Sequence, residues 1–201
     1  MSCAQKKDLL LCQGKTFAMA VRWETAPVVY KPVTAITQAA PARVTAALHG
    51  VPVGWRVAVV SVKGMKDINA KSYPPAVDDY HQATVVDANT VELNGVNAAD
   101  FKPYLSGGYI QYNTPVDLAG FTARMTIKDK VGGAVLETLT DANGKIVLDN
   151  STKSIRLALS AAVTAAYTWK KGVYDLELVS PAGVVSALLF GAVRITKEVT
   201  T

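Results

Sequence analysis

"TPVDLAGFTARMTIKD", residues 114–129, decides how this chain is read. Phe121, Ala123, Met125 and Ile127 alternate with Thr122, Arg124, Thr126 and Lys128, the period-two pattern of a strand with one buried and one wet face. Such a strand needs an antiparallel neighbour, ordinarily the arm of the preceding hairpin. The segment just upstream, "DFKPYLSGGYIQYN" (100–113), is rich in turn residues and has no long alternating run. The best-matched partner is far earlier, in "GKTFAMAVRW" (14–23), where Phe17, Met19, Val21 and Trp23 alternate with Thr16, Ala18, Ala20 and Arg22.

After residue 116, strand and turn signals recur at the spacing of an all-β sandwich: "AVLETLT", the turn "DANG", "KIVLD", "SIRLALS", "GVYDLELV", the turn "SPAG" and "VVSALLFGAVRI". Ile155, Leu157 and Leu159 point one way, as do Tyr174, Leu176 and Leu178, and these are core positions with Glu177 on the wet side. Ser160 is placed to cap one short helical turn in "SAAVTAAY". Residues 33–112 differ in texture, with short Val-rich runs broken by Gly, Pro and Asn, and they read as a compact β unit of their own.

The two observations combine into an all-β fold, a discontinuous antiparallel β-sandwich with a small β-barrel inserted after its first strand. The expected parts are a leader arm over 1–13, a sandwich over 14–32 and 113–201, and the inserted barrel over 33–112. Insertion brings "GKTFAMAVRW" beside residues 116–127, because a domain is accepted where its entry and exit share one loop.

Half the 201 residues are hydrophobic, enough for a substantial core, and the net charge is +5. Residues 33–112 carry six basic and six acidic side chains, and the only dibasic pairs are Lys6-Lys7 and Lys170-Lys171. That is not the basic, aromatic-laced stripe of a nucleic-acid groove, so no nucleic-acid partner is expected. Cys3 and Cys12 both sit in the leader, where a disulfide would staple little of the core. No apolar run approaches the roughly 20 residues of a membrane span, and "DLLLC" is too short for a signal peptide, so the product is expected to be soluble, without membrane insertion, in the cytoplasm where it is made.

Chemistry-bearing groups are sparse. "GKT" at 14–16 lacks the first glycine of a phosphate-binding loop and precedes a strand where a helix is required. His49 reads as a turn residue bonded to local backbone. Asp78, Asp79 and His81 in "DDYH" have the ligand types for a divalent cation, although an exposed loop more often leaves them solvated. "DANG" at 141–144 reads as a hairpin turn. Trp23 and Trp55 fall on core positions. No catalytic, cofactor-binding or metal residues are assigned, and the chain is expected not to be an enzyme.

The sandwich segments resemble the N-terminal β-sandwich of phage baseplate upper proteins and related small virion proteins. The resemblance rests on Asp117, Leu118 and Gly120 with Ala119 where the family has Thr, on Leu159, Ser160 and Thr164, and on Tyr174, Asp175 and Leu176. The inserted segment is similar to the small FCCH-type β-barrel module that phage tail proteins share with ubiquitin-activating enzymes. Its matching residues are Thr45, His49, Gly50, Gly54, Val57, Gly64, Met65, Asn69, Leu93, Val96, Tyr104, Gly107 and Gly108. "SYPPAVDDYHQ" (72–82) is longer than the family's connection, and no adenylating domain accompanies the module, so ubiquitin chemistry does not carry over.

The resemblance implies a structural protein of a bacteriophage tail or baseplate, located in the virion after synthesis in the host cytoplasm. It would act by oligomeric assembly, as a homo-oligomer and with other virion proteins. Two other readings stand beside it: a carbohydrate-binding host-recognition module using Tyr73, Tyr80 and Tyr104, and a capsid decoration protein. The candidate assembly contacts are Leu9, Leu10 and Leu11 in the leader and Leu188 and Phe190 in the last strand, which is apolar on both faces. Leu188 with Phe190 is expected to lie opposite Ala187 with Leu189. The leader would cover one face, in its own chain or a neighbour's, and its removal should leave the fold intact.

Overall fold

The computed structural model describes residues 4–197; residues 1–3, Cys3 among them, and 198–201 lie outside the description. The chain divides into two compact units, one of residues 1–23 with 117–201 and one of residues 24–116. In chain order the first unit opens with β1 (Gln5–Lys6), β2 (Leu9–Cys12) and β3 (Phe17–Val21). The second holds β4 (Glu24–Pro32), β5 (Ala35–Ile36), β6 (Ala42–Thr45), β7 (Arg56–Val60), β8 (His81–Asp87), β9 (Thr90–Leu93) and β10 (Tyr109–Pro115). The first then resumes with β11 (Thr122–Lys128), β12 (Val135–Thr140), β13 (Ile146–Asp149), β14 (Ser154–Leu159), a helix α1 (Ala161–Ala165), β15 (Lys171–Val179) and β16 (Val185–Thr196).

The first unit is a β-sandwich of two sheets. One has the order β1-β16-β15-β11-β12 with β2 also on β16, and the other is β13-β14-β3. Ala123, Met125 and Ile127 are buried on β11, Leu176 and Leu178 on β15, and Ile155, Leu157 and Leu159 on β14, so the alternation in each strand sends one row inward. Ser160 Oγ accepts the Val163 N–H at 3.3 Å and starts α1, the cap that its position before "AAVT" requires.

The partner of β11 is not the strand before the insertion. β11 lies between β12 and β15, with Met125 opposite Leu139 on one side and Leu176 on the other. β3 instead joins the smaller sheet, where Met19 faces Leu157 of β14. Alternation assigns a strand its faces but not its neighbour. The turn at Lys130–Gly133 folds "AVLETLT" straight back onto β11 and supplies the near partner. What spans the insertion is a ring contact, Trp23 against Phe121, edge to face at 6.0 Å. "DANG" likewise is not a hairpin loop. It carries the chain from β12 in the larger sheet to β13 in the smaller one, with Asp141 Oδ1 accepting the Ala123 N–H at 2.9 Å to hold the corner.

The second unit is wider than residues 33–112 because β4 and all of β10 belong to it. Its sheet runs β4-β10-β7-β8-β9-β6-β5. One stretch of chain, 24–36, starts on β10 and ends on β6: Val33 N–H bonds Gly108 C=O, and Thr34 N–H then bonds Thr45 C=O. That passage closes the sheet into a barrel. Gly108, at φ +85°, sits where a Cβ would stand 2.5 Å from Val62 Cγ2, so only glycine lets the seam close. Trp55, Val57, Val59, Met65, Val91, Leu93 and Ile110 fill the interior. β4 escaped the sequence pattern because Ala26 and Pro27 bulge out of its ladder, between the pairs Val28–Asn113 and Thr25–Thr114.

Glu24 and Pro115 are ladder partners, so the second unit leaves the chain where it entered. Deleting 24–116 and joining Trp23 to Asp117 through a short Gly-Ser bridge should therefore leave a cooperatively folding β protein. Thermal unfolding followed by far-UV circular dichroism checks this, and an unfolded product would mean that the sandwich depends on its insert.

Candidate functional site

Of the expected assembly contacts, the leader residues are built into the chain's own sandwich. β1 and β2 run parallel to β16, pairing Gln5 with Leu189, Lys6 with Phe190, and Leu9 through Cys12 with Val193 through Thr196. Leu9 and Leu11 are buried, whereas Leu10 on the opposite face is 60% exposed. Residues 5–12 of the expected leader arm (1–13) are thus not laid over a face of the sheet. They complete its edge, satisfying backbone groups that β16 would otherwise leave open.

Between β1 and β2 the leader runs close beside β16 at Gly191, where a Cβ would lie 2.3 Å from the Lys7 carbonyl oxygen. Only glycine permits that approach. Tyr174 Oη donates to Lys7 C=O at 2.7 Å, and Asp8 Oδ1 accepts the Ala192 N–H at 2.9 Å. Burial, with Asp8 adding to it, pushes the Tyr174 phenol up to about 12, so it stays a donor through the physiological range. "LLFGAVRI" contained the signal in its glycine, which interrupts an otherwise bulky strand.

Leu188 and Phe190 do not form the row expected of them. The ladder with β15 slips between Leu176 and Glu177, where Leu189 and Ala187 are the partners and Leu188 is the extra residue. The bulge changes the phase of alternation, so Leu189 goes to the core, Leu188 is half-buried and Phe190 is 44% exposed.

In the barrel, the long connection is organised by Asp79. Its carboxylate accepts the Ser72 hydroxyl at 2.6 Å, the Lys71 and Ala76 N–H groups at 2.8 and 2.9 Å, and the Ser72 N–H at 3.3 Å. Both oxygens are engaged by the loop itself. The Ser72 hydroxyl, followed by these amides, holds the Asp79 carboxyl down at about 2. Burial lowers His81, with Asp79 opposing it. Among the described residues no group of three or more His, Cys, Asp or Glu is placed to hold a metal ion.

His49 is buried, its Nδ1 accepting the Val51 N–H at 3.0 Å and its Nε2 lying 2.9 Å from Asp87 C=O, which makes it a turn fastener. The three tyrosines have different surroundings. Tyr73 is 83% exposed, Tyr80 lies under the Arg56 guanidinium at 5.1 Å, and Tyr104 Oη bonds Val33 and Gly107 carbonyls. Sequence reasoning missed a polar cluster beside Tyr80. There Arg56 grips Glu24 at 2.9 and 2.7 Å, Asn113 donates to the same carboxylate at 2.9 Å, and Gln111 donates to Tyr80 Oη at 3.2 Å. Glu24, Arg56 and Asn113 come from β4, β7 and β10, and nothing in their spacing along the chain announces the meeting.

No protein-family model matches this chain, and no curated protein matches it. Among the described residues no helix is long and apolar enough to cross a membrane.

Two predictions come from this geometry. Leu11→Ala should cost about 2–5 kcal/mol and Leu10→Ala under about 0.5 kcal/mol, measured by urea unfolding. Equal effects would mean that the leader does not pack as described, and truncation of 1–13 should now destabilise the fold. Asp79, with its folded value depressed, stabilises the loop above its unfolded value of about 3.9, and that contribution fades as pH falls through about 2. An NMR titration of its carboxyl carbon should find the midpoint near the lower value. A midpoint at the ordinary value would show the carboxylate to be unbound.

Proposed function

We propose that this chain is a non-enzymatic structural component of a bacteriophage tail, a tail, baseplate or fibre-attachment protein that works by oligomeric assembly with other virion proteins. The observation that carries the reading is the nesting of one all-β unit inside another, spliced between β3 and β11. It is the arrangement that a baseplate-type sandwich with an inserted tail-type barrel would have.

The surface supports the same reading. Turns and edges of the sandwich present bare aliphatic groups, with Val131 90%, Val184 61% and Val135 57% exposed. Among the described residues β12 is the last strand of its sheet, and the Asn143 and Glu137 side chains bond the Thr138 and Thr140 backbone along its outer side. Exposed apolar side chains beside the end of a sheet are what a neighbouring subunit covers. Its polar clusters, meanwhile, are spent within the fold: Asp79 on its own loop, Glu24 on Arg56 and Asn113.

The test is co-sedimentation of the tagged chain with purified tails and with empty heads, beside mass photometry of the chain alone. It should travel with tails and form oligomers. Fractionation with heads would make it a decoration protein, and no association with particles would overturn the assignment.

A further inference from the structure

The end of the larger sheet nearest the β11–β12 turn holds a cleft of about 450 Å³. Its floor is aliphatic: Val173 and Ala192, paired across the β15–β16 ladder, with Val131 from the turn above, while Val193 behind them is buried in the core. Three cations from three segments stand around it, Lys130 on the turn, Lys171 at the start of β15 and Arg194 near the end of β16. Lys171 and Arg194 are direct partners in the β15–β16 ladder, so two like charges are held side by side. Such a pair repels unless an anion joins it.

Two carboxylates stand nearby without an ion pair to these cations: Asp129 lines the cleft with its Oδ1 accepting the Lys130 N–H at 2.8 Å, and Asp8 Oδ1 accepts the Ala192 N–H. None of the three cations is in an ion pair among the described residues. Lys128 and Lys170 add further positive charge to the same end, and exposed Leu10, beside Arg194 in the ladder, extends the aliphatic floor.

We infer that this cleft binds an acidic, extended peptide segment of a partner protein, with aliphatic side chains on the floor and carboxylates between Lys130, Lys171 and Arg194. The lining has no aromatic ring on which a base or a sugar would stack, and its volume suits a few residues of peptide rather than a nucleic-acid strand. Cationic rims over apolar floors select partners by charge complementarity. The inference stands apart from the phage-tail reading, since peptide binding is measured on the isolated chain and survives a failure to sediment with tails.

The experiment uses the full chain and a fluorescein-labelled peptide of alternating aspartate and valine, read by fluorescence anisotropy. A lysine–valine peptide and a short single-stranded DNA of equal charge serve as competitors. The acidic peptide should bind, and the K130A/K171A/R194A variant should lose about tenfold or more in affinity while Lys66→Ala, on the barrel, changes nothing. Salt at about 1 M, where the screening length is about 3 Å, should abolish binding. Because the triple variant alters the sheet surface, backbone amide shifts of Gly172 and Ala192 in the unmodified chain give an independent reading and should move on titration. Unmoved shifts, unchanged affinity in the triple variant, or DNA competing better than the peptide would each overturn the proposal.

Discussion

A seven-rung antiparallel ladder between 24–32 and 109–115 is what allows one chain to hold two folds. It sets Glu24 against Pro115, so a sequence of more than ninety residues departs from the sandwich and returns at one place. The base of that ladder is fastened by a bidentate Arg56–Glu24 pair, with Asn113 on the same carboxylate. The Glu24 side chain is only 14% exposed, which removes much of the screening that makes surface ion pairs weak. Each unit closes by its own means: the barrel through the chain that crosses from β10 to β6, the sandwich through the leader on β16.

How much of this was legible follows from what a period can and cannot encode. The rows Met125–Ile127, Leu157–Leu159 and Leu176–Leu178 were readable because burial repeats every second residue and depends on little else. Ser160 and, in its bond to Val51, His49 were readable because those partners are two or three residues away. Pairing is another matter. Whether β11 lies beside β3 or β12 is decided by loop closure and by complementarity across sheets, and the better-matched pattern was the more distant one. A loop of a few residues at Lys130–Gly133 costs less entropy to close than a return across the insert, so proximity won.

Irregularities account for the remaining misreadings. The bulge at Leu188 separates Leu189 from Ala187 and Phe190 from Leu188, which a strict alternation puts on shared faces, and Ala26–Pro27 hides β4 in the same way. At the candidate surfaces the difficulty is sharper. Leu9 and Leu11 look like a sticky knot in sequence because their burial depends on a strand about 180 residues away. The cationic cleft draws on Lys130, Lys171 and Arg194, three residues that only a finished sheet makes neighbours.

The parallel pairing of residues 5–12 with 189–196 has a consequence in time. On a ribosome the strands over 5–12 emerge about 180 residues before β16, the strand that receives them. Until β16 is made Leu9 and Leu11 have nowhere to go, while the barrel, whose strands all lie within 24–116, can condense as soon as its own final strand is out. The sandwich is therefore a latch: its two halves wait on either side of a finished domain, and only β16 shuts them.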